Sequence, residues 1–278
     1  MDSIFLHKIQ DLNKHISSTQ NSLVKEIVQL QEKSRVRKNK GLFIIEGIRE
    51  ISLALKGAYQ IQSVWICEEI SSIEKINNLL PLSDQMEIVT ISKEVYQKIS
   101  HRKTTEGIIA IAKTKEFELD NLNLSSTPLI LIAEAPEKPG NIGALLRTAD
   151  AANLDAVIIA NPKTDLYNPN IIRSSVGCVF TTNIAVGNTN EIIDFLKRKE
   201  IQSFAAALHD DSINYTDIDF KSASAIIVGT ESTGLSDDWL ENATKKIIIP
   251  MNGEIDSLNV SVSAAILTFE AKRQRNLK

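Results

Sequence analysis

The sequence predicts an α/β protein of two domains: a small α/β domain over residues 1–115 and an open, doubly wound parallel sheet over 128–278, joined by a linker at 116–127. Three observations carry this expectation. Short apolar runs bounded by glycine, proline or polar clusters alternate with longer amphipathic segments along the whole chain. The stretch TKEFELDNLNLSST (114–127) has no sustained period and ends at Pro128. At 278 residues, the chain is long enough for each part to bury its own core.

Taken in order, Ile4, Phe5, Ile9, Leu12 and Ile16, broken by charges, read as a first helix and not as a secretory h-region. SLVKEIVQLQEKSR (22–35) sets Leu23, Val24, Ile27, Val28 and Leu30 along one side of a second helix. It ends in Lys33, Arg35, Arg37, Lys38 and Lys40, just before Gly41. These cations suit either a solvated helix end that complements the dipole or a patch that contacts phosphates. Strands are expected at 42–45, 63–66, 87–90 and 107–112, with helices at 48–56, 73–80 and 92–99, the last capped by Ser92. Such alternation implies a mostly parallel sheet. HRKTT (101–105), with Arg102, is polar and basic, a second candidate phosphate contact.

The second domain opens on a buried strand at 129–133, a loop at 134–140 and a helix from about 141 to 152. Strands at 156–160, 182–186, 203–207, 225–228 and 247–249 follow, with helices at about 169–177, 190–199 and 236–243. The last helix begins with the polar turn Ser257-Leu258-Asn259, is apolar on nearly every side from Val260 to Phe269, and carries no charge before Glu270. A helix of that kind is expected to be buried almost all round. Its polar N-terminal groups then need partners, from a ligand or a second subunit.

Composition excludes several classes. No apolar run reaches the roughly 18 residues of a membrane span. Cys67 and Cys178 are the only cysteines, and with four scattered histidines they form no metal-ligand spacing. The reading is a reduced, cytoplasmic, metal-free protein. Residues 1–115 hold about 17 Lys and Arg against 13 Asp and Glu, and residues 116–278 about 14 against 22. That asymmetry says which part would meet phosphates.

Three stretches carry chemistry. In PEKPGNIGALLRTADAA (136–152), Asn141 and Arg147 lie nearly two helical turns apart and share roughly one side. Alone, they also suit a helix cap and a surface ion pair. IIVGTESTGLS (226–236) runs an apolar strand into a glycine-rich turn, where ligands of open α/β sheets bind, yet it is no dinucleotide fingerprint. The third is the terminal stretch IIIPMNGEIDSLNVSVSAAILTFEAKRQR (247–275), which alone reads equally as a well-packed terminal helix.

Together, N-I-G-x-x-x-R-T-A-D-A-A, V-G-x-E-x-x-G-L-S and I-P-M-x-G-x-x-x-S-L-N-V-S-V-x-A-A-I resemble the three motifs of the SpoU (TrmH-type) RNA ribose 2′-O-methyltransferases of the SPOUT superfamily, over about 128–275. FIIEGIREISLALKG (43–57) is similar to the family's N-terminal substrate-binding domain, which resembles a small ribosomal-protein RNA-binding fold. The resemblance implies a deep trefoil knot in the second domain, a homodimer formed through it, and S-adenosylmethionine held in the knot. By motif position the cofactor falls to Gly229, Ile249 and Leu258, joined by the turn after strand 203–207 near Leu208, and the catalytic set to Asn141, Arg147, Glu231, Ser257 and Asn259. RNA contacts fall to Arg35, Arg37, Lys38, Lys40, Arg102 and Arg173. The implied reaction is methylation of a ribose 2′-hydroxyl, in 23S rRNA by the N-terminal domain type. A tRNA substrate and a catalytically silent RNA-binding or ribosome-assembly protein are the alternatives. The chain departs from the family pattern at Asn153, and at Glu137-Lys138 where Asp is frequent; both departures read as peripheral to the chemistry.

Overall fold

The computed structural model describes residues 14–80, 86–101, 106–230 and 233–275. The chain divides into two compact units, residues 1–115 with 166–181, and residues 116–165 with 182–278.

In the first unit, β1 (Lys14–Ile16), α1 (Ser22–Glu32), α2 (Ser34–Lys40), β2 (Leu42–Glu46), α3 (Ile48–Lys56), β3 (Ile61–Ile66), α4 (Ile73–Leu79), β4 (Glu87–Ile91), α5 (Lys93–Ile99) and β5 (Ile108–Lys113) follow one another. The sheet order is β1-β4-β3-β5-β2. β4 pairs parallel with β1 and β3, whereas β5 runs antiparallel to β3 and β2. The sheet is therefore mixed and not mostly parallel, because strand direction is decided by the connection and leaves no mark on an apolar run. The N-terminal helix pattern lies largely outside the described residues, and Lys14–Ile16, at its end, is an edge strand. The helix expected at 22–35 breaks at Lys33, whose backbone is extended. One sheet face packs on α1 and α5 through Val24, Ile27, Leu30, Val95, Tyr96 and Ile99.

The second unit contains β6 (Leu129–Glu134), α6 (Pro139–Ala151) and β7 (Ala156–Ala160). Then α7 (Pro169–Ser174), within the 166–181 excursion, packs in the first unit, where Tyr167 stacks on Phe43 at 4.2 Å and Phe180 meets Tyr59 edge-on at 5.1 Å. The rest is β8 (Ile184–Gly187), α8 (Thr189–Arg198), β9 (Gln202–Ala206), β10 (Ile213–Asn214), β11 (Ser224–Val228), α9 (Asp237–Asn242), β12 (Lys245–Ile248) and α10 (Val260–Gln274). These strands form a seven-stranded sheet, β10-β12-β9-β11-β6-β7-β8, in which every described pair is parallel. Such strands are covered on both faces, so they read as continuous apolar runs. Ile130, Ile132, Ile158 and Ile227 pack on Ile192, Phe195 and Trp239 of α8 and α9. α10 packs on α6 and against β11 and β6. The stretch read as a linker joins this core, with Leu119, Leu122 and Leu124 against it and Val186 N–H donating to Phe117 O at 2.7 Å.

α10 starts at Val260, not at Ser257, because the Asn259 side chain accepts from Ser261 N–H and caps it. Nor is it buried all round: Ala264, Leu267, Thr268 and Ala271 are buried, but Val262 is 46% and Phe269 41% exposed. Among the described residues no helix is long and apolar enough to cross a membrane, and no acidic, His or Cys cluster is suited to a metal.

Candidate functional site

Strand order in the seven-stranded sheet reverses at β6 and β11, and the cavities of such sheets open outside the C-terminal strand ends. There a cavity of about 350 Å³ is lined by Leu208, Gly229, Ile249 and Leu258, with Ser257 and Val260. All four positions expected to hold S-adenosylmethionine thus share one space. Its volume lies within the roughly 300–1,000 Å³ of small-molecule sites, and its aliphatic wall suits an adenosyl ligand.

Backbone packing explains the glycine-rich turn. A Cβ on Gly229 would lie 2.3 Å from the Gly234 carbonyl carbon and oxygen and 2.6 Å from Leu235 N. Thr230 and Gly234 exchange two backbone hydrogen bonds, each 3.1 Å, and Gly234 has φ +66°. Only glycine allows the strand to come so close to its own return. The loop after β9 that carries Leu208 is pinned by Asp211, which pairs with Lys246 Nζ at 3.0 Å and His209 Nδ1 at 2.6 Å. The hydrogen bond from Lys246 holds the Asp211 carboxyl below its usual value, aided by His209.

The expected catalytic residues converge in part. Asn259, exposed at the start of α10, donates from Nδ2 to Asn141 Oδ1 at 3.3 Å, joining segments 118 residues apart. Ser257 is exposed, lines the cavity, and donates to Asp256 Oδ1 at 3.1 Å. Arg147 is exposed on α6. Glu231 lies outside the described residues.

A second cavity of about 220 Å³ shares Gly229, Thr230 and Val260 with the first and is further lined by Glu134, Glu137, Lys138 and Asn141. Glu134 was read from the sequence as the start of a loop. It is instead the buried last residue of β6, where Oε1 accepts from Thr189 Oγ1 at 2.9 Å and Ser236 Oγ at 2.8 Å, and Oε2 accepts from Ser236 N–H at 2.8 Å. An acid directly after a buried apolar run was the available signal, since buried carboxylates must be paired.

Among the expected RNA contacts, Arg35, Lys38 and Arg173 are exposed. Arg37 is the correction. It is buried, and Nη1 donates to Leu30 O at 2.6 Å and Gln31 O at 2.9 Å, capping the end of α1 where the chain turns into α2. Lys40 pairs with Glu26 at 2.7 Å. Arg102 lies outside the described residues. Within the first unit, His101 Nε2 meets Asn170 Oδ1 at 3.1 Å, bringing the 101 segment beside the helix that bears Arg173.

Comparison with known proteins gives a consistent result. Residues 128–269 match the SpoU rRNA methylase family, and residues 21–110 match the MRM3-like substrate binding domain. The chain is 29% identical over 259 residues to the 23S rRNA (guanosine(2553)-2′-O)-methyltransferase RlmP of Bacillus subtilis, covering 93% of this chain and 99% of that protein. A solved RNA 2′-O ribose methyltransferase is 38% identical, with a TM-score of 0.80, 94% of this chain covered and 99% of that one. The AdoMet-bound rRNA methyltransferase of Sinorhizobium meliloti is 26% identical, with a TM-score of 0.85 over 94% of this chain and 98% of its own.

Proposed function

The chain belongs to the SpoU rRNA methylase family, and from that membership we propose that it methylates a ribose 2′-hydroxyl of 23S rRNA. It is an S-adenosylmethionine-dependent RNA methyltransferase. The observation that carries this reading is the single cavity formed by Leu208, Gly229, Ile249 and Leu258, beside the Asn141–Asn259 hydrogen bond. When bound, S-adenosylmethionine would supply an electrophilic methyl to the 2′-oxygen, with S-adenosylhomocysteine as the leaving group and the hydroxyl proton passing to solvent.

The chain's own residues must position that hydroxyl and ease loss of its proton. The Arg147 guanidinium is an awkward general base, since it has no acceptor site of its own. Its role is a phosphate clamp that also stabilises the developing alkoxide. Glu231 orients Arg147 or the hydroxyl. Ser257 and Asn259 hold the ribose or the motif loops, and the Asn259–Asn141 bond supports a joint role.

The first unit serves as the RNA-binding domain, with Arg35, Lys38 and Arg173 meeting phosphates; its exposed cations and its match to a substrate-binding domain support this. The family's trefoil knot is supported by β11 lying between β6 and β9, and by Ile249, Met251, Asp256, Ser257 and Leu258 lining the same cavity as those strand ends. Homodimerisation is supported by the exposed Val262 and Phe269 on α10. A cytoplasmic location follows from an rRNA substrate.

The test is transfer of labelled methyl from S-adenosylmethionine to total RNA of cells lacking the gene, followed by nuclease digestion and nucleoside identification. A 2′-O-methylated nucleoside confined to 23S rRNA is expected. Label in tRNA alone would move the substrate, and neither transfer nor cofactor binding would leave an RNA-binding protein without catalysis.

A further inference from the structure

Glu137 and Lys138, which stand where the family often has Asp, are not peripheral in space. They line the 220 Å³ cavity with Asn141, and that cavity shares Gly229, Thr230 and Val260 with the proposed cofactor cavity. A methyl passing from one bound molecule to another must cross such a shared wall. The second cavity is smaller than the roughly 300–1,000 Å³ of whole small-molecule sites, so it suits one nucleotide piece of a polymer whose remainder lies outside.

We infer that Glu137 and Lys138 read the base of the acceptor nucleotide and select guanine. This rests on the methyltransferase reading above. An ionised carboxylate only accepts hydrogen bonds, through two oxygens side by side. Guanine presents two adjacent donors, N1–H and N2–H, on its pairing edge, with the O6 acceptor next to them. Adenine and cytosine offer one amino group beside an acceptor nitrogen, and uracil offers a single N–H between two carbonyls. Glu137 matches the guanine donor pair, and Lys138, adjacent on the same wall, is a donor for O6. Both side chains are exposed at the rim, and Lys138 directly precedes α6. Asn141, one turn further along α6, stands where the ribose would follow.

Two measurements test this. Ultraviolet crosslinking of the wild-type protein to 23S rRNA with S-adenosylhomocysteine should label the peptide containing residues 134–147; crosslinks only elsewhere would overturn the assignment. Transcripts spanning the methylated site, with G, A, U or C at the acceptor position, should be methylated by the wild type only as G. Glu137→Gln replaces one acceptor by a donor, and should lower kcat/KM on the G transcript by at least roughly tenfold while leaving S-adenosylmethionine affinity and melting temperature unchanged. A Glu137→Gln variant with wild-type rate and base preference, or a wild type indifferent to the base, overturns the inference and leaves the methyltransferase reading intact. A wild type that methylates no RNA overturns both.

Discussion

Arg37 and Lys38 are neighbours in sequence with opposite fates. The Arg37 guanidinium is buried and donates to two carbonyls at the end of α1, whereas Lys38 is exposed. Arg37→Ala leaves those carbonyls without their charged donor and should lower stability by about 2–3 kcal/mol in denaturant titrations. Lys38→Ala should stay within about 0.5 kcal/mol of wild type and instead weaken RNA binding in filter assays. Arg147→Lys keeps the charge but loses the planar fork, so methyl transfer should fall at least roughly tenfold. Full turnover with unchanged RNA affinity would sink the clamp. Gly229→Ala forces the turn away from Gly234 at a strain of about 1–3 kcal/mol, and calorimetry should find S-adenosylmethionine binding lost or severely weakened.

Among the elements, α5 holds a titratable group deep in the first unit. The Tyr96 hydroxyl accepts from Gly107 N–H at 3.1 Å, and burial, reinforced by the negative charge of Glu46, pushes its pKa up to about 12. The unfolded chain ionises this phenol near 10, so the folded state, with the raised value, is the one that resists losing the proton. The stability tied to Tyr96 is therefore fully present below pH 10 and drains away as pH rises toward 12. Thermal melts across that window should show the loss, and Tyr96→Phe should flatten it. At neutral pH the same variant should be about 1 kcal/mol less stable, because Gly107 N–H loses its acceptor. In α10 the element boundary matters for function. Capping by Asn259 starts the helix at Val260 and leaves Ser257 and Leu258 in the loop that lines the cavity.

At the scale of the whole molecule, the apolar residues that one chain leaves in water bear on assembly. Val262 and Phe269 lie seven apart on α10, nearly two turns, and so on one side of the helix. Val262→Glu combined with Phe269→Glu should sediment as a monomer at micromolar concentration, where the wild type is expected to be a dimer. A wild-type monomer under those conditions would count against the dimer. The excess of cations in residues 1–115 predicts that RNA binding by the full chain weakens steeply with salt.

The sequence alone determined the central strands of the doubly wound sheet, such as Leu129–Glu134 and Ala156–Ala160, because strands buried on both faces are near-continuous apolar runs. Through its resemblance to the family it also pointed to Gly229, Ile249 and Leu258, with the turn near Leu208, as residues that line one cavity. Edge strands such as Lys14–Ile16 and Ile213–Asn214 were not legible, being too short to carry a period. Only the tertiary structure decided that β5 runs antiparallel, that residues 166–181 join the first unit, and that Arg37 faces inward. It alone made Glu134 a buried hub and set Glu137 and Lys138 beside Asn141. Each of these depends on which surfaces meet after the chain has closed on itself, and local periodicity records only what each segment would bury, not against what.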